Sequence, residues 1–286
     1  MPSLPELVAD LDDEYRDLIG LVSVLGRDDP RWDRPTPAVG WAVRDQISHL
    51  AFFDDAGRRA VEEPEAFARE AEAALAGSGD PMAIHLDRGR SMTGDELLEW
   101  WGTAHSGMVE ALSGVDPGLR LPWYGPPMGV LSFVSARLME TWAHGQDVAD
   151  ALAYERPATD RLRHVAHLGV RTRSFSYAVR GQDLPPGRVD VTLVGPSGVS
   201  WEWQAGGAVA GVGRGEPGVD PRVEDGGSPS HVRGSALEFC LVVTQRRNVA
   251  DTALVIEGPE AAEWMSIAQA FAGPPGPGRP PRGGDG

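Results

Sequence analysis

The 286-residue sequence contains no lysine and only one cysteine, and each scarcity excludes something. With Cys240 alone no intrachain disulfide can form, which fits a reducing cytoplasm better than an oxidising compartment. All 26 basic residues are arginine, set against 42 acidic ones, for a formal net charge of -16. A surface of that sign repels phosphate, so nucleic acid is not an expected partner. Long hydrophobic runs are also missing. No stretch approaches the roughly 18 consecutive apolar residues of a membrane span. The N-terminus shows no basic region followed by an apolar one, so neither a membrane partner nor a secretory signal is expected.

What is present is an ordinary globular balance, 41% hydrophobic and 24% charged, on a chain long enough for one large domain or two modest ones. The arginine-only basic set, with 36 Gly and 24 Pro, points to a high-GC bacterial coding sequence, by inference an actinobacterial one. Residues 3–25 carry Leu4, Leu7, Leu11, Leu18 and Val22 on one helical face behind a Ser3–Glu6 capping box, with Gly26 at the stop. Further helices are expected over about 42–60, 64–76, 95–112, 130–152 and 160–179, the last capped by Thr159 or Asp160. From Arg188 the period drops to two. Val189, Val191 and Leu193, a Gly-Pro-Ser-Gly turn, and Val199, Trp201 and Trp203 read as a hairpin. The stretch 206–229 is Gly-rich, with room for a strand and a mobile loop, and 236–246, 252–257 and 259–271 read as helix, strand and helix. The expected fold class is α+β: a helical bundle over 1–182, a small α+β domain over 188–272, and a disordered Gly/Pro tail over 273–286.

The strongest chemical signal is Glu140-Thr-Trp-Ala-His144, a carboxylate and an imidazole at i and i+4 on one helical face. Most such pairs are exposed and bind nothing, but Leu138, Trp142 and Val148 surround this one with apolar residues. If the helix bearing His49 packs against it, two histidines and a carboxylate converge and leave a coordination position open. Zinc, nickel and iron(II) all accept that donor set. Around it, Asp147 is a candidate acceptor for a ligand imidazole, or a surface charge. Arg137 is a candidate for holding an acidic substrate, or for an internal ion pair, and Asp45 sits in a first helical turn where negative charge is favoured. Trp41, Trp100, Trp101 and Trp142 read as core more than as ligand platforms. His105, His164 and His167 are weaker rivals for metal, the last two crowded by arginines. The Gly-rich run at 206–215 lacks the Lys-Ser/Thr ending of a phosphate loop, and Cys240 reads as a small core residue.

Two motifs carry a resemblance. The segment Trp41-Ala-Val43-Arg-Asp45-Gln-Ile-Ser-His49-Leu50 resembles the W-x-V-x-D-x-x-x-H-L signature of the DinB-like superfamily. With Glu140-x-x-x-His144-x-x-Asp147 it resembles more closely the N-terminal domain of mycothiol-dependent maleylpyruvate isomerases, over about 10–180. The resemblance implies an up-down bundle with a four-helix core and a metal held by His49, Glu140 and His144. It also implies mycothiol as thiol co-substrate, its metal-held thiolate attacking a small electrophilic metabolite in transfer or isomerisation. It implies no catalytic residue beyond that centre, no cofactor-binding residue and no oligomeric state. Two other functions remain compatible with the residues. One is a thiol-independent hydrolase, lyase or cyclase of specialised metabolism, and the other is a non-catalytic, metal-stabilised protein that binds a small ligand.

Overall fold

Helix α1 (Leu4–Val22) starts at Ser3, whose backbone N–H donates to the Glu6 carboxylate at 2.8 Å while its hydroxyl accepts from Glu6 N–H, so the capping box holds. A 3-10 turn at Pro30–Asp33 buries Trp32. Helix α2 (Val43–Glu62) comes next, and here the Asp45 carboxylate caps from inside by accepting the Ala42 N–H at 2.8 Å. Then come α3 (Pro64–Ala76), α4 (Ala83–Arg90) and α5 (Gly94–Leu112), the last behind a Thr93–Glu96 capping box. A short hairpin, β1 (Arg120–Trp123) and β2 (Gly125–Gly129), leads into the 23-residue α6 (Val130–Leu152), which stops at Ala153 in the left-handed region. The computed structural model describes residues 2–76, 83–206 and 230–282. Within them the chain forms two units, Met1–Arg156 and Pro157–Gly286.

In the first unit α2 is the centre, packed by α5, α4, α6 and α3, while α1 lies along α6. Ile47, Leu50, Ala51, Trp32, Trp101 and Val148 meet in its core. Burying each large apolar side chain there contributes about 1.5–3 kcal/mol. Two glycines set how closely helices approach. A Cβ on Gly57 of α2 would lie 2.7 Å from Phe133 and 2.9 Å from Met108, so α5 and α6 fill that space. A Cβ on Gly89 of α4 would lie 2.4 Å from Ser48, so only glycine lets α4 rest on the α2 turn that carries His49.

The second unit holds α7 (Leu162–Arg171), α8 (Arg173–Ala178), β3 (Val189–Val194), β4 (Ser200–Ala205), β5 (Ser230–Ser235), α9 (Ala236–Val243), β6 (Val255–Glu257) and α10 (Pro259–Ile267). Its sheet runs β4-β3-β5-β6, with β3 antiparallel to β4, parallel to β5, and β5 antiparallel to β6. The helix-rich first unit and small α+β second unit are the α+β class that the sequence indicates.

Several boundaries differ from the sequence reading. The single helix expected over 160–179 is two, interrupted at Thr172, whose hydroxyl donates back to the Leu168 and Gly169 carbonyls. Neither Thr159 nor Asp160 caps it; the Asp160 carboxylate instead accepts from Ser197 N–H at 3.1 Å. Both helices belong to the second unit, so the division falls at Arg156/Pro157 rather than near 182–188. The physical reason is that α7 buries Leu162, Val165, Ala166 and Val170 and packs on α9 and β4. The tail over 273–282, expected to be disordered, has no helix or strand but is tied down. Asn248 donates to Arg279 O at 2.8 Å, and Arg282 N–H donates to the Asp251 carboxylate at 2.8 Å. The strand and loop expected within 206–229 fall at 207–229, outside the described residues. No helix among the described residues is long and apolar enough to cross a membrane.

Candidate metal centre

Helix α2 turns Val43, Ile47 and Leu50 into the core, and that orientation carries His49 toward α6. Helix α6 is buried along most of its length, which forces even its polar residues inward. One donor atom from each of His49, Glu140 and His144 lies within 4.8 Å of the other two. The Glu140 carboxylate stands 3.1 Å from His144 Nε2, and the two imidazole centroids are 4.4 Å apart. Two donors on one zinc ion sit at most about 4.2 Å apart, so small side-chain rotations suffice to bring all three onto a divalent cation. The nitrogen, nitrogen and oxygen donors suit zinc, nickel or iron(II). The His144 side chain is 10% exposed and that of Glu140 22%, so the carboxylate is the more accessible of the two.

The hydrogen bonds behind His144 fix which of its nitrogens faces that cluster. The Thr36 hydroxyl donates to Trp41 O at 2.8 Å, leaving its oxygen to accept from Gln46 Nε2 at 2.8 Å. That orients the Gln46 amide with Oε1 toward His144 Nδ1, at 2.5 Å. An amide oxygen only accepts, so Nδ1 is the nitrogen that donates to Gln46, and Nε2 is the one that faces the cluster. Gln46 is wholly buried, so water cannot replace it. Replacing it with Leu is expected to weaken metal binding about 10–100-fold, the usual cost of losing a partner behind a ligand histidine. Chelator competition on the purified variant measures this, and an unchanged affinity would show that Gln46 has no part in holding the imidazole.

Aromatic rings enclose the cluster. Trp41 stacks on His144 at 5.8 Å, and Phe53, one turn after His49, lies 4.7 Å from it. The β1–β2 hairpin delivers Trp123 and Tyr124 against Phe53 at 6.0 and 5.7 Å. A third histidine beside the cluster is not visible in the sequence as a site residue. His85 of α4 is buried, with its ring 5.3 Å from His49 and stacked on Phe52 at 5.0 Å. Its eight-residue helix is too short for a periodic signal, and nothing along the chain says that Gly89 lets it rest on α2.

The other candidates take different places. Arg137 makes the internal ion pair: it donates through Nε and Nη2 to Asp54 Oδ1 at 3.1 and 2.9 Å, and both residues are buried. The other Asp54 oxygen accepts from Trp101 Nε1 at 3.0 Å and faces His105 Nδ1 at 3.4 Å. His105 in turn meets Asp12 at 3.1 Å and stacks on Tyr15 at 4.0 Å, so this rival histidine serves a network joining α1, α2, α5 and α6. Burial alone would raise the Asp54 carboxyl, but the Arg137 charge and the His105 hydrogen bond outweigh it and hold the group below its ordinary value. Asp147 is buried, yet the acceptor at His144 Nδ1 is Gln46 and not Asp147. Asp45 is buried and bridged by Arg90 at 2.9 Å as well as capping α2. The imidazole of His167 is pulled down by burial and then by Arg171. Among the described residues, His49, Glu140 and His144 are the group of donors placed to share an ion.

Comparison with known proteins bears on the family and the fold. Residues 11–149 match the model of the mycothiol maleylpyruvate isomerase N-terminal domain. Uncharacterized proteins of Mycobacterium tuberculosis, from strains CDC 1551 / Oshkosh and ATCC 25618 / H37Rv, are 43% identical over 275 residues, covering 95% of this chain and 97% of each relative. The crystal structures of the mycothiol-dependent maleylpyruvate isomerase and of a histidine-to-alanine mutant of it align with a TM-score of 0.54. They are 15% identical and cover 91% of this chain and 96% of theirs, a likeness of fold.

Proposed function

The chain belongs to the mycothiol maleylpyruvate isomerase N-terminal domain family, and on that premise we propose that it is a metal- and thiol-dependent enzyme. The reaction is transfer or isomerisation on a small electrophilic metabolite, with mycothiol as the thiol. The observation that carries this reading is the convergence of His49, Glu140 and His144, with the Glu140 carboxylate partly exposed. A divalent ion bound there supplies Lewis acidity, which keeps a thiol in its thiolate form near neutral pH.

The chain's own residues support the rest. Gln46 engages His144 Nδ1 and leaves Nε2 on the side of Glu140, Trp41 covers the imidazole face, and Phe53 lies against His49. The thiol has to come from outside. Cys240 is fully buried, its thiol is pushed well above the ordinary value by that burial, and its Sγ lies 3.5 Å from Leu162 O.

The test is a turnover assay of zinc-loaded protein on maleylpyruvate and on an electrophilic thiol acceptor such as monobromobimane, with and without mycothiol. Turnover is expected only with the thiol present. A rate that is the same without it would replace this reading with a water-based hydrolase or lyase, and binding of substrate without turnover in either condition would favour a ligand-binding role.

A further inference from the structure

The aromatic rings beside the donors differ in exposure from those of the core. Trp32, Trp101, Phe67 and Phe133 are at most 2% exposed, as a packed interior requires. Trp41, Phe52, Phe53, Trp123 and Tyr124 are all half-buried, so part of each ring meets solvent. These five are not scattered. Trp41 lies 5.3 Å from the His49 ring, Phe53 lies 4.7 Å from the same ring, and Phe52 lies 5.1 Å from Phe53. They form one tract with a donor histidine in its middle.

The β1–β2 hairpin extends that tract. Its pairing shifts between Leu121 and Trp123, and such an irregularity re-aims the side chains that follow. Leu121 is buried, whereas Trp123 pairs with Gly125 across the tip and leaves Tyr124 at the apex. Both rings come to rest against Phe53, at 6.0 and 5.7 Å. Aromatic surface left in water is unfavourable, and a flat apolar partner laid on it recovers that cost.

The charges of the helices that bear the donors point the same way. On α2, Arg44 faces Asp33 at 2.7 Å, Arg58 faces Glu62 at 2.6 Å and Arg59 faces Glu70 at 2.7 Å. On α6, Arg137 faces Asp54 at 2.9 Å. Every arginine of these two helices is thus committed to a carboxylate of the protein itself. We propose that the electrophile of this site is an uncharged compound with a flat conjugated ring, held against Phe53, Trp123 and Tyr124. The inference rests on the metal and thiol reading above and narrows its substrate. With the thiol at the donors, the electrophile has to be held by the walls, and ring faces hold a flat ring by offset or edge contacts. A dianion in the same place would lose hydration while the arginines of α2 and α6 stay bound elsewhere.

Binding tests this apart from turnover. A bromine-free bimane is flat and uncharged, and its fluorescence is quenched by an indole that touches it. Titrated with the full-length zinc-loaded protein, it is expected to show saturating quenching that maleate, a dianion, does not reverse at equal ionic strength. Trp123→Leu and Tyr124→Leu should each weaken the apparent affinity about 2–10-fold, the effect of one ring contact. Should Trp123→Leu fail to fold, Tyr124→Leu at the hairpin apex carries the comparison. No saturating quenching, reversal by maleate, or an affinity unchanged in every folded variant overturns the proposal. Mycothiol-dependent turnover of maleylpyruvate without bimane binding would sink the substrate class and leave the thiol reading standing. Saturating binding without mycothiol-dependent turnover would uphold the ligand class and sink the thiol reading.

Discussion

Alanine at His144 is expected to remove bound metal and turnover together. The effect should exceed that of Gln46→Leu, since it deletes a donor atom and not merely the group that aims it. With His144 gone, His49 and Glu140 are left, and two ligands from the protein are fewer than the three that catalytic zinc sites use. The fold should survive, because the neighbouring core residues Leu138, Ala143, Val148 and Ala149 of α6 stay in place and His144 is itself slightly exposed. Glu140→Gln is the companion variant: it keeps the side-chain shape but replaces an anionic donor with a neutral amide. Metal content per chain after loading and desalting, together with the mycothiol-dependent rate, reads both. A His144→Ala protein that retains one tightly held ion and full activity would remove the basis for the metal centre.

The second large effect is expected at Asp54, on stability. Asp54→Ala leaves the Arg137 guanidinium buried without its counter-charge, and breaking one side of a buried pair costs about 3–5 kcal/mol. The variant also strands the Trp101 indole N–H, which donates to the same carboxylate. Replacing both partners with apolar residues, as in Asp54→Leu with Arg137→Met, should recover much of the loss, since no unpaired charge then stays inside. Urea denaturation of the three proteins measures this, and an Asp54→Ala protein within about 1 kcal/mol of wild type would contradict it. The pH dependence has a fixed sign. The folded Asp54 carboxyl lies below its unfolded value of about 3.9, so its contribution is complete above that pH and is lost as the pH falls through the folded value. In Asp54→Asn that part of the acid dependence should vanish.

Helices α1, α2, α3, α5 and α6 of the first unit are legible in the sequence because their residues repeat with helical period, α1 behind its Ser3–Glu6 capping box, whereas the short α4 and the β1–β2 hairpin are not. Glu140 and His144 are legible for the same reason, since a spacing of four on a helix is a statement about space. His49 joins them in the sequence only by resemblance, because nothing local says which face α2 turns to α6. Gln46 escapes notice there because a lone amide beside a histidine motif has no distinguishing spacing, and its role depends on Thr36 ten residues earlier. The pairing of Asp54 with Arg137 spans 83 positions, and no pattern along the chain encodes it. The second unit hides more. Strand β5 joins β3 in parallel across a long connection, and α7 and α8 look like any bundle helices until their apolar faces meet α9 and the sheet.

Thr36, Trp41, Gln46, His49, Glu140 and His144 all lie within the first unit, and among the described residues the second contributes no donor to the cluster. The donors of the proposed ion site are thus an inheritable package of their own. A lineage can exchange or redesign the chain beyond Arg156 without having to rebuild them.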